Sequence, residues 1–167
     1  MRVALIGAGR FGTSVAAQTS QIPGMRLVAV ADPNEANGAG ALEAAGWSPD
    51  QWERTDSSHK AASITSAGRA ALVPDFEALD AIQIDVVVES TGHPTIGARS
   101  ALQAIRLGRH VVMVTVEADV TCGWALAHEA RSQDVVYSLT AGDQPGAIME
   151  LIEWSRLLGL HVVATGR

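Results

Sequence analysis

Seven short apolar runs punctuate the chain. They are Val3-Ala4-Leu5-Ile6, Leu27-Val28-Ala29-Val30, Ala71-Leu72-Val73, Val86-Val87-Val88, Val111-Val112-Met113-Val114, Val135-Val136-Tyr137 and Val162-Val163-Ala164. Each is too short for a helix and lacks the alternation of a half-exposed strand, so each reads as a strand buried on both faces of a parallel sheet. The intervening segments follow the helical period. Over 94–107, Ala98, Ala101, Leu102 and Ile105 fall at i, i+3, i+4 and i+7, with Pro94 in the first turn and Gly108 at the stop. Over 145–158, Ile148, Leu151 and Ile152 repeat the stripe and Gly159 ends it. Strand and helix alternating with right-handed crossovers predict an α/β fold, a doubly wound parallel sheet of Rossmann type. Counting the apolar runs in sequence, the expected strand order is 3-2-1-4-5-6.

Residues 46–68 interrupt the rhythm. They hold Trp47, Trp52 and a polar stretch from Arg54 to Lys60, more than a usual connection needs. They are expected to form an insertion before the third strand, partly helical from about Ser58, with the tryptophans anchoring it to the body. The rest of 1–167 reads as one dinucleotide-binding domain, a size that holds its own core. The final apolar run, Val162 to Ala164, predicts a strand with no closing helix. That ending suggests a substrate domain beyond residue 167.

Composition narrows the function classes. The 167 residues are 47% hydrophobic and 18% charged, with 12 basic residues against 18 acidic ones for a formal net charge of −6. No Lys/Arg run follows a phosphate backbone, which argues against nucleic acid as a partner. No apolar stretch approaches the ~20 residues of a membrane span, and the chain opens directly on a strand. A cytoplasmic protein is the expectation. The lone Cys122 excludes an internal disulfide, and His59, His110, His128 and His161 have no metal-ligand spacing, so no metal site is expected.

Gly7-Ala8-Gly9-Arg10-Phe11-Gly12 fits G-x-G-x-x-G between the first strand and the first helix. Gly7 permits the tight turn, Gly9 lets backbone approach a pyrophosphate, and Gly12 allows close helix–strand packing. The N–H groups and dipole at the helix start favour the phosphates. Asp32, 20 residues after Gly12, ends the second strand, where its carboxylate accepts hydrogen bonds from the adenosine ribose. Its other reading is a cap or turn residue before Pro33. A carboxylate there also repels a 2′-phosphate, favouring NAD, while Arg10 leaves NADP open.

Ligands of open parallel sheets lie beyond the carboxyl ends of the strands. Ser90, Thr91 and Gly92 are therefore expected beside the cofactor ribose. Glu117 is expected at a strand end in the cleft, as a contact to the nicotinamide ribose, a metal or a substrate hydroxyl, or else as a solvated loop carboxylate. Asp119 is read as the N-cap of the next helix rather than a catalytic group. Asp143 and Gln144, before Pro145, are expected to serve capping, substrate contact or both. His93 either moves a proton during carbonyl reduction or is a loop residue before a proline. Cys122 falls in the first turn of a helix, where a thiolate would be favoured, yet no base accompanies it and a packed thiol is the better reading.

The segments GAGRFG, STGHPTIGA, VTVEADVT and YSLTAGDQPGAIMELIE together resemble the N-terminal domain of homoserine-dehydrogenase-like oxidoreductases, nearest to the deoxyxylulose-phosphate-reductoisomerase-like branch that carries a SAF-type domain. The resemblance implies NAD(P)-dependent chemistry on a small polar carbonyl or hydroxy compound, with a sugar or polyol phosphate among the candidates. It also implies a catalytic lysine beyond Arg167. Homoserine dehydrogenases proper carry a lysine where Glu117 stands, and the reductoisomerase branch carries basic residues where this chain has Asp32.

The expected function is thus an oxidoreductase present as its cofactor domain, inactive alone, because His93, Glu117 and Asp143 are weak candidates for a proton donor. The expected ligands are a nicotinamide dinucleotide and a small polar substrate, with homo-oligomerisation left open. The alternative is a non-catalytic, NAD-responsive regulatory or partner module.

Overall fold

The computed structural model describes residues 1–140 and 144–165, and side chains other than those of Gln144 and Pro145. Seven parallel strands form one sheet: β1 (Arg2–Ile6), β2 (Arg26–Ala31), β3 (Trp52–Arg54), β4 (Ala70–Val73), β5 (Val86–Glu89), β6 (His110–Met113) and β7 (Tyr137–Leu139). Their order is β3-β4-β2-β1-β5-β6-β7. Among the described residues six α-helices accompany them: α1 (Arg10–Thr19), α2 (Glu35–Ala44), α3 (Ser58–Ser66), α4 (Pro94–Arg106), α5 (Val116–Ser132) and α6 (Gln144–Leu157).

The doubly wound fold follows from the alternation within each buried strand. In β1, Val3 and Leu5 face a layer containing Ala16 of α1 and Leu42 of α2. Ala4 and Ile6 face the opposite layer, with Ile64 of α3, Ala101 and Ile105 of α4, and Leu126 of α5. Both faces are covered, which is why the strands read as continuous apolar runs.

The six strands expected at 3-2-1-4-5-6 occur in that spatial order, as β4-β2-β1-β5-β6-β7, but an additional strand extends the edge. β3 lies inside the expected insertion and pairs with β4 through Trp52, Glu53 and Arg54. Three residues with two charges give no apolar signal, and short charged strands are how sheets protect an open edge. The Glu53 carboxylate receives Lys60 Nζ at 2.7 Å and Arg69 at 2.8 Å, joining β3 to α3 and to the start of β4. Lys60, then Arg69, hold the Glu53 carboxyl below its ordinary pKa. The helix expected from Ser58 is α3. The indole N–H of Trp47 donates to the Leu27 carbonyl at 2.9 Å, and both tryptophans pack against the α1/α2-side core.

Two expectations near the C-terminus are corrected. The sixth strand is displaced two residues onward: Asp134 adopts a positive φ of 55°, Val136 is exposed, and pairing begins at Tyr137. The run Val162-Val163-Ala164 is not a strand. Among the described residues it has no strand to pair with, Val163 is 89% exposed, and Val162 and Ala164 line a shallow hollow with Ile148, Leu151 and Ile152 of α6. An apolar β-branched run becomes a strand only where a sheet edge accepts it. Among the described residues, no helix is long and apolar enough to cross a membrane.

Candidate functional site

The carboxyl ends of β1, β2, β4 and β5 open onto a cleft of ≈ 500 Å³. Its floor is Ile6, Gly7 and Gly9, one wall is Asp32 and Pro33, and the other is Ser90, Thr91 and His93. Beyond β4, Pro74, Asp75, Phe76 and Glu77 close the far end with Ile96 and Arg99 of α4. The Arg99 guanidinium lies 5.6 Å from the centre of the Phe76 ring and pairs with Glu77 at 3.1 Å.

The glycine turn is built for tight packing at two positions and left open at one. Gly7 has φ +88°, and a Cβ there would stand 2.7 Å from the Thr91 nitrogen and 2.8 Å from the Ser90 carbonyl oxygen. A Cβ on Gly12 would collide with the Gly7 carbonyl oxygen. Gly9 differs. Nothing lies within 4 Å of where its Cβ would be, and it is the N-cap residue of α1 with no side chain capping the helix. Packing of the protein therefore does not require glycine at position 9, whereas a phosphate approaching the bare helix N-terminus does. The cradle fits a dinucleotide pyrophosphate.

Asp32 is 8% exposed. Its Oδ2 accepts the Ala8 N–H at 2.7 Å and its Oδ1 accepts the Asn34 N–H at 2.8 Å. Asp32 shapes the turn before α2 and also lines the cleft. The helix cap is Asn34, whose side chain accepts from Ala36 N–H. Each carboxylate oxygen can accept more than one hydrogen bond, so capacity remains for ribose hydroxyls.

The other candidates divide. Ser90 Oγ donates to the Gly7 carbonyl at 2.7 Å, tying the turn after β5 to the glycine turn. Thr91 lines the cleft, and Gly92 adopts φ +68°. His93 also lines the cleft but is exposed and N-terminal to α4, without a side-chain capping bond. Arg10 and Phe11 are exposed in the first turn of α1, and Ala8 is buried. Glu117 is not at a strand end: α5 begins at Val116, so Glu117 is an exposed first-turn residue and does not line the cleft. Asp119 is not the N-cap, a position held by Thr115; it lies within α5 and accepts the Tyr137 hydroxyl at 2.8 Å. Burial, then this bond, raises the Tyr137 pKa, keeping the phenol a donor. Cys122 falls one turn deeper into α5 than expected, and its thiol lies 3.2 Å from the Ala118 carbonyl oxygen as a hydrogen-bond donor. Burial first, and Asp119 second, push its pKa up, so it is a packed thiol. Asp143 lies outside the described residues, as does the side chain of Gln144.

Sequence reasoning missed Phe76, Glu77 and Arg99 at the far end, and Glu89 and Thr115 beneath the second wall. Glu89 left a signal, being the one carboxylate that closes an all-valine strand.

A family model described as oxidoreductase family, NAD-binding Rossmann fold, matches residues 1–140. The chain belongs to the Gfo/Idh/MocA oxidoreductase family. No curated protein sequence matches it. Solved structures similar to this Gfo/Idh/MocA chain include the WlbA dehydrogenase of Bordetella pertussis in complex with NADH and UDP-GlcNAcA, at 18% identity and a TM-score of 0.67, covering 95% of this chain and 40% of that one. Biliverdin reductase of Synechocystis in complex with biliverdin and NADP+ is similar at 21% identity and a TM-score of 0.65, covering 95% and 42%. The chain thus spans about two fifths of the length of these structures. The family is not the one that the four sequence segments resemble. Most of the YSLTAGDQPGAIMELIE segment lies past the matched residues.

Proposed function

We propose that this chain is the cofactor domain of an NAD(H)-dependent dehydrogenase that interconverts a small polar hydroxy compound and its carbonyl form. A sugar or polyol derivative, phosphorylated or not, is the leading substrate class. Bound NAD(H) would accept or supply the hydride. The chain's own residues bind and orient it: the turn from Gly7 to Gly12, with Arg10 and Phe11 at its rim, takes the pyrophosphate, Asp32 takes the adenosine ribose, and Ser90, Thr91 and Gly92 border the second riboside. The observation that carries this reading is the buried Asp32 carboxylate facing the cleft beside the open Gly9. The sugar class is supported by the family and by the nucleotide-sugar acid bound to the WlbA dehydrogenase.

Hydride transfer to a carbonyl also needs a donor at the developing alkoxide. Among the described residues, His93 is exposed on the cleft wall and Glu117 stands away from it. A second domain that closes the cleft and supplies the donor is part of the proposal. The 167-residue chain is accordingly expected to quench or shift NADH fluorescence on binding, and to leave absorbance at the nicotinamide band unchanged with candidate polyols and ketoses. Turnover by this chain alone would overturn the division of labour. The same shortage of a placed donor favours the second reading, a non-catalytic NAD-responsive module. Finding no reductase activity in the full gene product, with NADH bound, would select it.

A further inference from the structure

We propose that Glu89 and Thr115 are positioning residues that turn the 90–93 segment into a hydrogen-bond-accepting ledge for the nicotinamide riboside half of the cofactor. The inference rests on the dinucleotide reading and adds two residues that neither motif nor strand pattern assigns.

Four consecutive backbone N–H groups in this turn are all used internally. Ser90 N–H donates to the Ile6 carbonyl at 2.8 Å. Thr91 N–H donates to Glu89 Oε1 at 2.9 Å, and Gly92 N–H donates to Thr115 Oγ1 at 3.0 Å. His93 N–H donates to Thr91 Oγ1 at 3.2 Å. That last bond depends on Glu89 as well. The single Thr91 hydroxyl proton goes to Glu89 Oε1 at 2.5 Å, leaving the hydroxyl oxygen to accept. A turn with its donors consumed cannot hold an anion. Among the described residues, the Thr91 and Gly92 carbonyl oxygens accept no hydrogen bond from the protein; Thr91 lines the cleft, so acceptors remain at that edge for ribose hydroxyls or a carboxamide N–H.

Stability alone does not account for either side chain. Thr115 occupies the N-cap of α5, where its hydroxyl would ordinarily accept a first-turn N–H, yet it makes no capping bond and serves Gly92 instead. Glu89 is 0% exposed, and its Oε2 has no hydrogen-bond partner. Oε2 sits between α4 and α5, 3.0 Å from where a Cβ on Gly97 would be, so that glycine makes the room. A buried, half-satisfied carboxylate is a burden on folding. Both residues give up local stabilisation to the same four-residue turn.

Topology assigns the half of the cofactor. Asp32 follows β2 on one side of β1, and the pyrophosphate cradle follows β1 itself. The 90–93 turn follows β5 on the other side of β1. A dinucleotide that crosses the glycine turn from Asp32 brings its second riboside over β5.

The test compares NADH with ADP, which has the adenosine and pyrophosphate but no second riboside, on the 167-residue chain. Thr115→Val keeps the shape and removes the acceptor. It is expected to weaken NADH about tenfold, the loss of about one hydrogen bond's worth of organisation, with ADP changed less than twofold and Tm nearly unchanged. Thr115→Ser is expected to restore NADH. Glu89→Gln retains one acceptor oxygen and is expected to lose less NADH affinity than Glu89→Leu. If Glu89→Leu does not fold, the threonine pair decides the matter. Equal losses of NADH and ADP in Thr115→Val, or no loss of either, would overturn the proposal while leaving the dinucleotide reading in place. Failure of the unaltered chain to bind both ligands would sink that reading and this one together.

Discussion

The Asp32 carboxylate and the Ala8 backbone N–H, 24 residues apart in the chain, meet at 2.7 Å in the interior of the protein. This bond locks the end of β2 to the glycine turn, so the residue proposed to receive the ribose also shapes the loop proposed to receive the pyrophosphate. Asp32→Ala leaves a buried N–H without an acceptor, which costs about 1–3 kcal/mol. It is expected to lower Tm and to weaken NADH by more than tenfold, an effect larger for NADH than for NADPH because the repulsion of a 2′-phosphate is also lost. Asp32→Asn is not a mild change, because its NH₂ must face either Ala8 N–H or Asn34 N–H, a donor against a donor. Isothermal titration of both cofactors, with thermal melts, checks these points. An unchanged ratio of NADH to NADPH affinity would remove Asp32 from the ribose.

Gly9 and Gly7 separate binding from folding. A Cβ at position 9 has nothing within 4 Å, so Gly9→Val is expected to cost only about the loss of a good N-cap, ~1 kcal/mol, while abolishing measurable NADH binding. Gly7→Ala places a Cβ against the Ser90–Thr91 peptide at a positive φ and is expected to destabilise the fold by about 1–3 kcal/mol. Retained NADH affinity in Gly9→Val would refute the placement of the pyrophosphate.

Arg109 pins the connection between β4 and β5. It is 6% exposed, and one guanidinium nitrogen donates to the carbonyl oxygens of Leu79, Asp80 and Ile82 at 2.8–2.9 Å. Burial lowers its pKa, with Asp80 opposing that shift. Arg109→Leu strands three carbonyls and is expected to cost about 3 kcal/mol, roughly 6–12 °C in Tm for a domain of this size. Urea denaturation measures it. A loss below about 0.5 kcal/mol would mean that water replaces the guanidinium freely.

The Cys122 thiol should react slowly. Burial and the neighbouring Asp119 favour its neutral form, so the thiolate appears only above the ordinary thiol range of about 8.5. The rate of alkylation by iodoacetamide is expected to rise with a midpoint above that of a free cysteine peptide. The thiol's contribution to stability has the same sign: it is present below about pH 8.5 and lost as pH climbs through the folded-state value. A midpoint at or below the peptide's would contradict the packing.

Local regularities carried far in this protein. Buried strands must be apolar on both faces, so six of the seven strands, the covering helix from Pro94, the existence of a helix over 145–157, and the doubly wound order were legible along the chain. The glycine turn between β1 and α1 was legible too, because a G-x-G-x-x-G spacing specifies a tight strand-to-helix turn. What tertiary structure decided is whatever depends on a neighbour distant in sequence. Trp52, Glu53 and Arg54 form a strand because β4 offers an edge and Lys60 and Arg69 neutralise the carboxylate. Val162 to Ala164 do not, because no edge reaches them. Asp119, which any local rule would place at a helix cap, spends its oxygen on Tyr137 across the α5–β7 contact. Glu89 stands out as the carboxylate closing an all-valine strand, but its partner does not: only the side-by-side ends of β5 and β6 bring the Glu89 and Thr115 oxygens to the neighbouring N–H groups of Thr91 and Gly92. Periodicity records which face of an element is buried; it does not record which partner a polar atom will find there.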